Sequence, residues 1–256
     1  IKTYNAAVKS NPFDWRFWQR QALLYSEIGY DDKSLQSIEE ALNILPRNAV
    51  LNYQYAAILN KCGRFNDAIL ASSKALNSKP DFAEAHYNLG LILHALAKTN
   101  DAIESFNKAV LINALLSALG ALIFISFLAF LDRSFEGMIW LIPPFGASMV
   151  LVMAVHESPL AKPKNILLGH ILSALSGVII LYLIGDNFLA LGIAVALAVF
   201  VMIVTDTIHP PAGANPIIVI LTGQGISFVL FPVAVGAFML VVFAYLYNKL
   251  LKRNYP

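Results

Sequence analysis

The groups best able to do chemistry in this chain gather in one polar stretch, Asp206-Thr207-Ile208-His209-Pro210-Pro211-Ala212-Gly213-Ala214-Asn215-Pro216, set between two long apolar runs. His209 is the side-chain type that changes charge nearest neutral pH, and Asp206, three residues earlier, is its candidate partner for proton coupling. Thr207 and Asn215 bring hydrogen-bonding groups, while Gly213 and Ala214 leave the backbone bare enough for a small ligand to approach. Pro210, Pro211 and Pro216 remove backbone donors and interrupt a helical ladder. In lipid, polar groups freed in this way are costly unless protein or a water-lined cavity meets them. An earlier stretch, Pro143-Pro144-Phe145-Gly146-Ala147-Ser148, repeats the order Pro-Pro-x-Gly-Ala and then a small polar residue, 67 positions upstream. Gly146, Ala147 and Ser148 are therefore the matching candidates, with Ser148 equivalent to Asn215.

This pattern suits a small anion. A short helix is expected to begin near Gly146 and another near Gly213, and helix N-termini offer unpaired N–H groups and the positive end of the dipole. Ser148 and Asn215 would add side-chain donors, and His209 a proton or a gated positive charge. The bland alternative for His209 is a residue that caps a helix or satisfies backbone. His170 reads as a polar packing contact in a full span. His156 beside Glu157 is a lone pair in a polar loop, too little for a metal, and no metal or other cofactor is expected. The residues show no nucleophile with its base and no phosphate-binding loop, so enzyme chemistry is not expected.

The elements that must hold these residues are apolar helices. Mean hydropathy is +0.64. Residues 1–113 hold 12 Lys+Arg and 11 Asp+Glu, and residues 114–256 only 6 and 5. The split predicts a polar helical domain over 1–113 and a membrane domain over 114–256. Neither has the basic excess of a nucleic-acid binder; the expected partners are the lipid bilayer, a small anion and a peptide or protein on the polar domain, with a homo-oligomer left open. Cys62 is the only cysteine, which excludes a disulfide framework. Apolar runs at 115–131, 166–184, 188–205 and 226–250 are long enough to span, and those at 138–155 and 216–222 read as half-length segments beside the breaks. Three segments followed by three of the same kind predict two inverted repeats, with both breaks meeting at midplane. Lys162, Lys164, Lys249, Lys252 and Arg253 place their loops, the polar domain and the C-terminus on the cytoplasmic side. Arg133 dissents, with Asp132 and Glu136 as salt-bridge partners.

In the polar domain Pro12, Pro46 and Pro80 are 34 residues apart, and small residues recur in register: Ala22, Ala56 and Gly90; Ser34, Ala68 and Ala102; Ala41, Ala75 and Ala109. This resembles the tetratricopeptide repeat, implying stacked helix pairs. Peptide-contact candidates are Arg20, Asn52, Lys61 and Asn88, each also readable as a solvated polar position. Residues 101–131 contain no proline, so the last repeat helix is expected to run straight into the first span. The missing linker points to a rigid-helix fusion, engineered or natural, and a start without Met suggests a fragment or processed chain.

The membrane half resembles the HPP family of integral membrane proteins through His209-Pro210-Pro211, the Pro144-Phe145-Gly146-Ala147-Ser148 segment and the loop Ser158-Pro159-Leu160-Ala161-Lys162-Pro163-Lys164-Asn165. The resemblance implies four transmembrane helices, and nitrite as cargo from plastid and cyanobacterial members. It also implies a bacterial plasma membrane or a plastid-type membrane. The rival function is an anchor or sensor whose repeats recruit a cytoplasmic partner. The fold expected is all-α throughout: a repeat solenoid joined by one continuous helix to a polytopic membrane domain.

Overall fold

The structure, a computed structural model, describes residues 2–135, 139–253 and 255. Among the described residues it is helical, without a strand. Two units divide between Asn113 and Ala114.

The first unit holds α1 (Lys2–Ser10), α2 (Trp15–Glu27), α3 (Asp31–Ile44), α4 (Ala49–Lys61), α5 (Phe65–Ser78), α6 (Ala83–Ala95) and the start of α7 (Thr99–Ser134). Three features recur at the 34-residue period. Trp18, Asn52 and His86 each donate a side-chain N–H to the carbonyl of the proline six residues earlier, Pro12, Pro46 and Pro80, at 2.8, 2.9 and 2.9 Å. This ties each first helix to the turn that precedes it. Gly29, Gly63 and Ala97 hold left-handed backbone, with φ of 77°, 74° and 56°, and end each first helix. The next residue, Tyr30, Arg64 or Lys98, donates its N–H to the carbonyl five residues back, satisfying an otherwise orphaned carbonyl. Ala22, Ala56, Ala41 and Ala75 are fully buried, and a Cβ on Gly90 would lie 2.6 Å from the Phe106 ring. The small residues therefore stand where helices cross closely.

Of the peptide-contact candidates, Arg20 and Lys61 are exposed. Asn52 is buried and committed to Pro46 and Asn48 carbonyls, Asn88 is buried, and Lys61 pairs with Asp31 at 3.1 Å. Tyr53 and Tyr87 pack on Phe82 and Phe106. Cys62 is half-buried.

The second unit contains the rest of α7, then α8 (Pro143–Ala154), α9 (Pro163–Ile184), α10 (Phe188–Val204), α11 (Asn215–Thr222), α12 (Ile226–Phe228) and α13 (Val235–Leu250). A 3-10 turn, Pro159–Ala161, precedes α9, and another, Pro210–Ala214, precedes α11. The 36 residues of α7 are unbroken, as the absence of proline predicts. Among the described residues, three helical stretches are long and apolar enough to cross a bilayer: α7, α9 and Ile226–Leu250. The fourth expected span, α10, has 17 residues, the lower limit for crossing. It buries Ala190, Ala194, Ala198 and Met202 and exposes Phe188, Phe200, Ile203 and Val204. Large apolar side chains face outward because lipid is their solvent. The protein is an integral membrane protein.

The expectation of a full helix over 226–250 needs correction. Phe231 is extended (φ −139°, ψ 122°) ahead of Pro232, because the proline ring excludes helical backbone at the residue before it. Of the two salt-bridge partners expected for Arg133, Asp132 accepts the Trp140 N–H at 2.9 Å, and Glu136 lies outside the described residues.

Ala97 holds left-handed backbone where its two counterparts are glycine, at a cost of about 1–2 kcal/mol. Ala97→Gly should raise unfolding stability by about 1 kcal/mol and Gly63→Ala lower it by a similar amount, read by chemical denaturation of the full chain in detergent.

Candidate functional site

Both breaks are built alike. Ile142 and His209 are extended N-caps (φ −117°, ψ 145° and φ −139°, ψ 97°), each followed by two prolines that open a helical turn. The third residue of each turn, Phe145 or Ala212, donates its N–H to the carbonyl of Ile142 or His209, both at 3.0 Å. At the first break the helix begins at Pro143, not near Gly146 as expected; at the second a 3-10 turn opens at Pro210 and α11 follows from Asn215, near Gly213 as expected. Proline is at home in a first turn, since its φ is preset and its missing N–H would be an orphan there. This placement weakens the expected anion site. Two of the terminal donors do not exist at either break, and a third is spent on the cap carbonyl.

The polar residues of the two breaks meet. Ser148 and Asn215 occupy equivalent places, and both converge on His170 of α9. Ser148 Oγ lies 2.9 Å from His170 Nε2 and 2.8 Å from His209 Nε2. It also lies 3.1 Å from the Pro144 carbonyl. His209 Nδ1 is 3.0 Å from the Leu160 carbonyl. Asn215 Nδ2 reaches His170 Nδ1 at 3.0 Å, the His170 carbonyl at 3.1 Å and Ser173 Oγ at 2.9 Å. Ser148, His170, Ser173, His209 and Asn215 are all fully buried. Asn215 Oδ1 has no partner among the described residues.

Helix α9 makes this approach possible by presenting small residues. A Cβ on Gly169 would sit 2.9 Å from both His209 Cβ and the Thr207 carbonyl, and one on Gly177 would sit 2.7 Å from Pro216 Cα. Asn165 Nδ2 donates to the Ile208 carbonyl at 2.9 Å. The second break is thus laid along one face of α9, while Phe145 of the first fills the space beside Gly236 of the last long helical stretch. Phe145 also meets the His170 ring edge-on at 5.4 Å.

Several expected site residues fall elsewhere. The Asp206 side chain is 95% exposed and pairs with Lys164 at 3.3 Å, so it does not face His209. Its backbone turns left-handed (φ 53°) and carries the side chain outward. Thr207 is buried but bonded to Thr205 at 2.7 Å. Ala147 is exposed, and a Cβ on Gly146 or Gly213 would meet open space. Ala214 is half-buried. Sequence reasoning gave His170 only a packing role; the signal for more lay in its neighbours, a Gly169, Ser173, Gly177 face at helical spacing. The expected absence of a nucleophile beside a base is also corrected: Ser148 and His209 stand at that distance, brought together from 61 residues apart.

The close approach is a constraint on packing, since a side chain forced between backbones costs about 1–3 kcal/mol. Gly169→Val and Gly177→Leu should each lower thermal stability in detergent by that order, while Gly192→Ala on α10, which faces open space, should leave it unchanged.

The family model for the HPP transmembrane region matches residues 107–256, and tetratricopeptide-repeat models match 56–97 and 83–114. Two transmembrane proteins of Dictyostelium discoideum are 38% and 37% identical over 127 and 125 residues, which is 46% and 45% of this chain. The chain spans less than half the length of these relatives, 41% and 44%. Among solved structures, MamA is similar at 20% identity and a TM-score of 0.42, over 46% of this chain and 72% of its own. YrrB, a tetratricopeptide-repeat protein described as having an unusual peptide-binding site, is similar at 19% identity and a TM-score of 0.40, over 77% and 96%. Likenesses this slight carry no argument. The HPP match covers more than half of the chain and includes the His209-Pro210-Pro211 turn through which the two breaks touch, and the chain belongs to the HPP transmembrane family.

Proposed function

We propose that the membrane unit transports a small inorganic anion together with a proton, with nitrite the first candidate from the family resemblance. The observation that supports this best is His209, fully buried where the two breaks touch, with Ser148 and the Leu160 carbonyl on its two ring nitrogens. The groups around it are neutral: Ser148, Thr207, Leu160, Gly169 and the His170 ring, whose centroid is 5.0 Å away. A protonated His209 in that interior needs a counter-charge, and no carboxylate among the described residues contacts it. A small anion would supply the charge and leave when the proton leaves. This replaces the helix-dipole site as the source of attraction, because the prolines remove two of its donors and the cap carbonyl takes a third.

Ser148, Thr207, His209 and Asn215 would shape the site from the second break and α8, while the open sides of Gly146, Ala147, Gly213 and Ala214 would let the anion reach the backbone. Pro143, Pro144, Pro210, Pro211 and Pro216 hold the turns. In this reading the two three-segment halves are inverted repeats that move against each other about the shared cluster. The repeat unit and C-terminus are cytoplasmic, by the Lys and Arg at the loops.

The Ser148–His209 pair also has the spacing of an activated serine. The Ser148 side chain is fully enclosed and its oxygen is engaged by both histidines, so a substrate carbonyl has no approach, and the reading is transport rather than enzyme chemistry. A fluorophosphonate probe should leave Ser148 unlabelled in the folded protein; labelling that disappears in Ser148→Ala would count for the enzyme.

The second reading rests on the tetratricopeptide repeats, which suit binding of a peptide or protein partner. Nitrite uptake into proteoliposomes separates the two. The full chain should accumulate nitrite faster with an inward proton gradient, His209→Gln should reduce that gain at least about tenfold, and removal of residues 1–98 should leave it intact. Uptake that ignores the gradient, or that His209→Gln leaves unchanged, would end the proton-coupled reading.

A further inference from the structure

We propose that Ser148 is a two-position hydroxyl switch that lets His209 hold a proton without moving a heavy atom, and that His170 and Asn215 set the switch. The inference rests on the transport reading for its cargo but not for its chemistry.

The donors and acceptors determine where each hydrogen lies. A carbonyl only accepts, so His209 Nδ1 carries a hydrogen and donates it to Leu160 O. His209 Nε2 is then bare when the ring is neutral, and it accepts the Ser148 O–H. The amide of Asn215 is oriented by the His170 carbonyl, which demands a donor at 3.1 Å. Its Nδ2 therefore faces His170 Nδ1 as donor, leaving His170 with its hydrogen on Nε2. That N–H donates to Ser148 Oγ. The neutral cluster is thus a directed chain: Asn215 to His170, His170 to Ser148, Ser148 to His209, His209 to Leu160.

A proton added to His209 Nε2 reverses one link. The new N–H points at Ser148 Oγ, and the hydroxyl hydrogen must turn away. It has a second acceptor in reach, the Pro144 carbonyl at 3.1 Å. Ser148 then accepts from two histidines and donates once, which is the full capacity of a hydroxyl. One proton has entered, no covalent bond between heavy atoms has changed, and every hydrogen in the cluster has an acceptor in both states.

The groups facing the histidines are uncharged on every side. From α8 come Ser148, Phe145 and the Pro144 carbonyl; from α9, Gly169; from the turn before α9, Leu160; from the second break, Thr207 and Asn215. The nearest charged pair in sequence, Lys164 with Asp206, is exposed. His170 is a positioning residue: its N–H occupies one lone pair of Ser148, so the hydroxyl hydrogen has only His209 and Pro144 to choose between.

The test is nitrogen NMR of the full chain, labelled at its five histidines with nitrogen-15, in lipid bilayers without nitrite; single His→Gln variants assign the signals. At high pH His170 should show its hydrogen on Nε2 and His209 on Nδ1. On acidification His209 should gain its second N–H first, while His170 keeps its tautomer. Ser148→Thr should preserve this pattern, and Ser148→Ala should keep both tautomers, which Leu160 and Asn215 fix, but move the second N–H of His209 to lower pH, because that N–H would have no acceptor, while circular dichroism stays helical. Identical tautomers in the parent, first protonation at His170, or an unchanged His209 titration in Ser148→Ala would overturn the switch. Nitrite uptake measured in parallel decides the transport reading separately: a parent with the pattern but no uptake keeps the switch and loses the cargo.

Discussion

A hydroxyl buried in an apolar membrane domain must find its partners within the protein, because lipid offers none. Ser148 finds two histidines and a carbonyl, and the second unit is arranged so that it can. The two breaks end helices where ordinary spans would continue, α9 gives up side-chain volume at Gly169 and Gly177, and Asn215 and Leu160 close the chain at its ends. A hydrogen bond in such a place contributes about 1 kcal/mol net, but leaving one partner unmet costs about 1–3 kcal/mol. The arrangement is therefore favoured as a whole and penalised in parts, which is what couples the two breaks.

The same accounting explains why the site is uncharged at rest. An isolated ion in the apolar interior is far costlier than a satisfied polar group. Lys164 and Asp206 stand exposed beside the start of α9, and Lys249 lies near the end of α13, away from the cluster. A neutral histidine cluster can be entered by a proton and left by it, whereas a fixed Lys or Arg would hold an anion in place. The left-handed backbone at Asp206 is part of the separation, since it sends that carboxylate, three residues from His209, outward.

Much of this was legible in the residues. The 34-residue spacing of Pro12, Pro46 and Pro80 marked out the repeat unit, and the same spacing governs side chains that bind those prolines, Trp18, Asn52 and His86. The matched Pro-Pro-x-Gly-Ala stretches located both breaks and paired Ser148 with Asn215. The rest was set by contacts between distant residues. His170 is one histidine in an apolar run, and only the fold brings Ser148 and Asn215 to its two ring nitrogens. Asp206 is close to His209 in sequence and turned away in space. The start of α8 was misplaced because two adjacent prolines read as a break, when they open the first turn of the next helical segment. Pro232, the one proline in the 25-residue stretch Ile226–Leu250, was passed over although it interrupts its helix as any proline does.

The contact between Ser148 and His209 holds the two breaks together, and a double-mutant cycle measures it. Unfolding free energies of the full chain in detergent would be compared for Ser148→Ala, His209→Gln and the two together. Groups that share one buried hydrogen bond should show a coupling of about 0.5–3 kcal/mol, with the double variant less destabilised than the sum of the singles. Additive losses, within about 0.3–0.5 kcal/mol, would mean that the two breaks do not meet at this pair.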